Sequence, residues 1–158
     1  LDDRAQTFAE ADLDAQMAVN LRAPALLAQA MAVALPAGRE GLIINILDQR
    51  VWRPNPQFFG YSLGKAALWH ATRTLAQALA PRIRVNAIGP GPTLASTHQQ
   101  PGEFAQEAAG TPLGRPVTLD DIAGALRYLI DARSVTGQMI AVDSGQHLAW
   151  RTPDIIHP

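Results

Sequence analysis

The chain has 158 residues, 47% of them hydrophobic, a formal charge of -1 and no cysteine. That is enough apolar material for one packed core. The arginines are scattered and not gathered on one face, which argues against a nucleic-acid or anionic-membrane surface. Without thiols there is no disulfide, thiolate metal site or cysteine nucleophile. The start, "LDDRAQTFAEADLD", is acidic and lacks the apolar segment of a signal peptide, and no later apolar run reaches bilayer length, so a cytoplasmic protein is expected.

In chain order, residues 10–35 are rich in Ala, Leu and Met with acidic residues near the start, which predicts a long helix. After the "PAGREG" turn, "LIINIL" (42–47) is apolar on both faces, as expected of a parallel strand covered on both sides. A loop, "DQRVWRPNPQ", leads to a second helix from about Phe58 to Ala80, ended by Pro81. "RIRVNAI" (82–88) is the second strand. The Gly- and Pro-broken segment that follows holds one short helix near Glu103 to Ala109, and segments of that length tend to be lids or binding loops. Thr118 is an N-cap before Asp120 and Asp121 for a third long helix, and "QMIAVD" (138–143) is the third strand. Alternating helices and strands imply right-handed crossovers and an α/β fold on a parallel sheet. Ligands of such sheets bind beyond the carboxyl ends of the strands, which here are followed by Asp48, by Gly89 to Thr93, and by Ser144 to His147.

Only one of the thirteen Lys and Arg residues is a lysine, Lys65, and it lies four residues after Tyr61, one of only two tyrosines. At that spacing on a helix the two side chains share a face. An ammonium beside a phenol stabilises the phenolate, so a lowered tyrosine pKa and a role in proton transfer are expected. A compact ammonium with three donors also has a geometry that the flat guanidinium lacks.

With "YSLGK" as its YxxxK signature, the chain resembles the short-chain dehydrogenase/reductase family. "AVNL" (18–21), "IINI", "RVNAIGPGPT" (84–93) and the stretch from "PLGR" to "TGQMIAVDSGQHL" (112–148) fall in the family's order. "VDSG" departs mildly from the usual end of the last strand. The resemblance implies Tyr61 as proton donor, Lys65 on the nicotinamide ribose, and Pro90, Gly91 and Thr93 beside the nicotinamide carboxamide. It adds Asn20 as the residue that helps hold a proton-relay water. Pro24 has no N–H and clashes with the carbonyl four residues back, that of Asn20, which is thereby freed for water. A tolerated proline kink with a solvated asparagine is the plainer alternative.

One departure weighs most. Thirteen residues before the tyrosine, where the family has its catalytic serine, stands Asp48. A hydroxyl donates to a developing oxyanion, whereas an ionised carboxylate only accepts and repels it. A substrate with N–H groups, or a C=N bond whose nitrogen gains a proton, suits Asp48 better. An Asp-Tyr-Lys set is similar to that of the pteridine reductases and dihydromonapterin reductases, whose ending "GQHL" (145–148) also echoes. This implies NADP, or NAD, as cofactor and a pterin-like substrate. A carbonyl or alcohol oxidoreductase of the same family and a non-catalytic, oligomerising relative are the alternatives.

Among Trp52, Phe58 and Phe59, one ring is a candidate to stack on a flat pterin, with core or lid packing as the alternative. Arg50 and Arg53 are candidates for an acidic substrate tail, or plain surface arginines. The histidines, His147 included, lack metal-ligand spacing, so no metal is assigned. Gly60, Gly64, Ala67 and Ala71 form a stripe of small residues that admits a close backbone, either the protein's own or that of a second subunit. In the family this helix and the preceding one build a subunit interface, so a homodimer or homotetramer is implied. No Gly-rich phosphate turn of the GxGxxG kind occurs in the sequence. Residues 1–158 are therefore expected to be a single unit. It would be the C-terminal catalytic portion of a longer reductase, the second half of a Rossmann-like doubly wound sheet, with the dinucleotide-binding half absent.

Overall fold

The computed structural model describes residues 4–97 and 99–150. Three strands, β1 (Gly41–Ile46), β2 (Ile83–Pro90) and β3 (Met139–Val142), form one parallel sheet in the order β1-β2-β3. The register runs from Gly41 opposite Ile83 to Ile46 opposite Ile88, and from Ala87 opposite Met139 to Pro90 opposite Val142. The central strand is the most buried, with Val85, Ala87 and Ile88 fully enclosed. A strand paired on both edges and covered on both faces is enclosed in this way.

Successive residues of β2 serve opposite faces. Ile83 and Val85 pack with Ala76, Leu75 and Leu79 of α3 (Phe59–Leu79) and with Ala32 and Leu35. Arg84 and Asn86 turn the other way, where Arg84 donates to the carbonyls of Leu129, Ile130, Ala132 and Val135 at the end of α5 (Leu119–Asp131). Asn86 donates to the Val135 carbonyl and accepts from the Gln138 N–H, so its buried amide is satisfied. On the α3 side, Asn45 donates to the Thr72 hydroxyl, which donates to the Leu68 carbonyl. This buried chain fixes α3 over β1 and hence the phase of every side chain α3 presents at the strand ends.

The helix expected over residues 10–35 is α1 (Glu10–Met17), a π-helical turn (Ala18–Arg22) and α2 (Ala23–Ala34). Pro24 is the cause we assign to the wide turn. It has no N–H to return to the Asn20 carbonyl, and the Ala23 N–H reaches back five residues to Ala18. The continuous helix Glu10–Ala34, 25 residues long, is by length and composition apolar enough to cross a membrane, which corrects the reading of the sequence. Its polar Gln16 and Asn20 pack toward α3, while Val19, Leu26, Leu27 and Val33 are exposed. A helix with one apolar, uncovered face passes the same test as a membrane span.

The covering expected on both sides of β1 is incomplete. Ile46 is half exposed, and a cleft of about 440 Å³ opens beside Leu42, Ile44, Arg84, Leu126 and Ile130. The outer edge of β1 has no partner strand among the described residues. The short helix α4 (Glu103–Ala109) and the capping box of Thr118 and Asp121 occur where the sequence predicts them. The Thr118 hydrogen bonds hold the Asp121 carboxyl below its ordinary pKa.

Candidate active site

A cleft of about 990 Å³ lies at the carboxyl ends of β1 and β2. Asp48, Tyr61, Lys65, Pro90, Gly91 and Thr93 all line it. Six of the seven residues given catalytic or cofactor-binding roles from the sequence are thus brought together by three different segments. Asp48 follows β1 and caps a short 3-10 turn, Gln49–Val51, by accepting the Arg50 N–H on Oδ1 at 2.8 Å. This cap orients the carboxylate, and its other oxygen accepts the Tyr61 hydroxyl at 2.9 Å. One turn further along α3, Lys65 donates to the Ile46 carbonyl at 2.8 Å, with its Nζ 5.6 Å from the centre of the Tyr61 ring.

Asn20 is the seventh, and it does not line the cleft. It sits buried in the π-helical turn behind α3, its Nδ2 donating to Gln16. A Cβ on Gly64 would come within 2.9 Å of the Asn20 Cβ, so at Gly64 the small-residue stripe admits the protein's own helix. Gly91 has a similar reason to be glycine, because a Cβ there would fall 2.6 Å from the Asp143 Cα. Its N–H donates to the Val142 carbonyl, and the Thr93 hydroxyl donates to the Gly91 carbonyl, which fixes the turn after β2.

The electrostatics correct one expectation. The Tyr61 pKa is raised above its ordinary value near 10, first by burial and then by the charge and hydrogen bond of Asp48, with Arg50 opposing weakly. The Lys65 pKa is lowered by burial, with Asp48 acting the other way. The lysine contact alone suggested an acidified phenol. Burial of the phenol outweighs that contact, and the carboxylate adds to it, because it touches the hydroxyl itself while the ammonium lies over the ring.

Of the loop aromatics only Phe58 lines the cleft, with the Arg50 guanidinium 5.0 Å from its ring centre. Its backbone is left-handed, φ 55°, an unusual state for a bulky residue immediately before a helix. Trp52 packs edge-on against Trp69 and His147, and Phe59 lies against Phe8. Arg53 borders a separate hollow near Thr111 and Trp150. Reading the sequence did not single out the polar wall formed by Gln99, Glu103, Gln106, Glu107 and Gln146. The available signal was the pair Glu103 and Glu107, one helical turn apart within a segment already read as a lid or binding loop.

The residues fit the nicotinamide-ribose end of a dinucleotide. Lys65 and Thr93 offer hydroxyl-binding groups beside Pro90 and Gly91, in a space of about 990 Å³ that accommodates two flat rings. The described residues include no Gly-rich helix-opening turn for a pyrophosphate.

A family model described as enoyl-(acyl carrier protein) reductase matches residues 1–147. The chain belongs to the short-chain dehydrogenase/reductase family. Within the family it resembles the branch of the pteridine and dihydromonapterin reductases. Its fold superposes on the crystal structure of Brucella suis FolM alternative dihydrofolate reductase 1 in complex with NADP. The TM-score is 0.94 and the identity 55%, covering 98% of this chain and 62% of that one. Dihydromonapterin reductase of Citrobacter koseri is 35% identical over 107 residues, 67% of this chain and 44% of that protein. Protein FixR of Bradyrhizobium diazoefficiens is 42% identical over 135 residues, 82% of this chain and 48% of that protein. The chain therefore spans about half the length of the curated relatives it matches.

Proposed function

We propose that this chain is the catalytic portion of an NADP-dependent reductase acting on a pterin-like C=N bond. The observation that carries the reading is the Asp48 carboxylate accepting the Tyr61 hydroxyl at 2.9 Å, in the cleft that Lys65 also lines. The FolM and dihydromonapterin reductase relatives, and the NADP in the FolM structure, support the substrate class and cofactor.

NADPH, held at its ribose by Lys65, would supply the hydride that the carbon of the C=N bond receives. Tyr61 supplies the proton to the nitrogen. A raised phenol pKa keeps that proton in place through neutral pH, which suits reduction and opposes alcohol oxidation, where a phenolate must accept. A nitrogen that has just gained the electron pair is a stronger base than a phenolate, so the transfer runs downhill, and solvent then restores the phenol. Asp48 steadies the donor and accepts from substrate N–H groups, while Lys65 lies over the phenol ring and holds the ribose. Phe58 offers the flat pterin a ring face. Asn20 acts from behind Lys65 by holding the π-helical turn against Gly64. The direct test follows NADPH consumption with a dihydropterin and with a simple activated ketone in parallel. Turnover of the dihydropterin is expected, and turnover of the ketone alone would transfer the chain to the carbonyl branch.

We infer also that a strand of the dinucleotide-binding half occupies the outer edge of β1 in the intact reductase. The unpaired edge and the half-exposed Ile46 support this. The 158-residue chain alone should then bind NADPH poorly and self-associate. A monodisperse monomer with micromolar affinity by calorimetry would contradict it.

A homo-oligomer is proposed from the stripe of Val19, Leu26 and Val33, which with Leu27 are 56 to 82% exposed. Residues seven apart share a helix face, and an apolar face of this kind calls for a partner. Leu27→Lys in the intact reductase should lower the mass seen by sedimentation. An unchanged mass would remove this face from the interface.

A further inference from the structure

The polar wall of the cleft has one carboxylate at its centre. Glu107 lies half-buried on α4, and each of its oxygens already holds one amide. Oε2 accepts from Gln99 Nε2 at 2.9 Å and Oε1 from Gln146 Nε2 at 3.0 Å. Neither glutamine is loose. Gln99 accepts the Ser96 N–H on its own Oε1 at 2.8 Å. Gln146 rides on a turn organised by the buried Asp143, which accepts the Gly145 N–H at 3.0 Å, the His147 N–H at 2.8 Å and, on the same oxygen, lies 2.7 Å from His147 Nδ1. Three separate segments, the loop after β2, α4 and the turn after β3, thus converge on a single carboxylate.

A carboxylate has about four lone-pair sites, and two are taken. Glutamines orient it but do not neutralise it. The cations of the cleft have other partners, Arg50 over the Phe58 ring and Lys65 on the Ile46 carbonyl. Among the described residues no ion pair includes Glu107. Glu103, whose Oε2 accepts the Gln100 N–H, adds a second negative charge to the same wall. A wall with spare acceptors and uncompensated negative charge binds neutral donors and repels carboxylates.

Resting on the function proposed above, we propose that Glu107, held by Gln99 and Gln146, is the specificity-determining residue of the cleft. It accepts from hydroxyl groups on the substrate's side chain and disfavours side chains that end in a carboxylate. The pterin-ring chemistry stays with Asp48 and Tyr61, and Glu107 reads what the ring carries.

The test uses the intact reductase and three substrates with the same dihydropterin ring. One has a polyhydroxyalkyl side chain, one a methyl group, and one the glutamate-bearing chain of dihydrofolate. Glu107→Gln should raise KM for the polyhydroxyalkyl substrate about tenfold with kcat little changed, as for loss of one charge-assisted hydrogen bond. KM for the methyl compound should not move, and KM for dihydrofolate should fall. Gln146→Ala, which keeps the charge but loosens its hold, should weaken the polyhydroxyalkyl substrate while leaving dihydrofolate disfavoured. Equal shifts for all three substrates, or no shift, would overturn the role of Glu107 and leave the pterin reading intact. No consumption of any of the three by the unmodified reductase would overturn both.

Discussion

Tyr61→Phe in the intact reductase should lower kcat for dihydropterin reduction by about 10²- to 10⁴-fold, the contribution expected of a positioned proton donor. The ring that fills the space between Asp48 and Lys65 is kept, and only the hydroxyl that donates to Asp48 is lost. KM should therefore change little, and NADPH binding should persist. The loss also leaves Asp48 Oδ2 without its donor, so thermal stability should fall modestly, by about 1 kcal/mol for one hydrogen bond. The decisive reading is kcat measured beside that stability. A variant within about tenfold of the parent would assign the proton to another group, since general acid catalysis of the usual size would then be missing.

Asp48→Ser gives the second large effect and separates the pterin reading from the carbonyl one. Dihydropterin reduction should fall by about 10²-fold or more, because the carboxylate that steadies Tyr61 and accepts substrate N–H groups is gone. Reduction of a simple activated ketone should hold or rise, since a developing oxyanion would then meet a hydroxyl donor and no negative charge. The pH dependence has a definite sign. Asp48 is among the causes that raise the Tyr61 pKa, so its removal lowers that pKa and moves the alkaline loss of reductive activity to lower pH. Equal dihydropterin turnover in variant and parent, with an unmoved alkaline limb, would detach Asp48 from the chemistry.

The sheet and the order of its elements were legible because hydrophobic periodicity survives local detail. "LIINIL" and "RIRVNAI" are β1 and β2, within a residue or two at each end. The Tyr61 and Lys65 pairing was legible because helical spacing fixes which side chains share a face. The sign of the Tyr61 shift was not. It depends first on the burial of the phenol and then on Asp48 coming within 2.9 Å of the hydroxyl, a tertiary contact between the end of β1 and the start of α3. The π-helical turn was half legible, since Pro24 announces a disturbance at Asn20 without saying whether it is a kink or a wide turn. The wall around Glu107 was hidden for the same reason as the Tyr61 shift, because Gln99 and Gln146 lie 47 residues apart in sequence and meet only in the fold.

The most direct measurement supplies the intact reductase with NADPH deuterated at the transferring carbon and a dihydropterin, and locates the label in the product by mass and nuclear magnetic resonance. The account predicts one deuterium per turnover, bound to the carbon of the former C=N bond of a tetrahydropterin, with the new N–H proton drawn from solvent. Deuterium absent from that carbon, or no tetrahydropterin formed while an activated ketone is reduced, would contradict it.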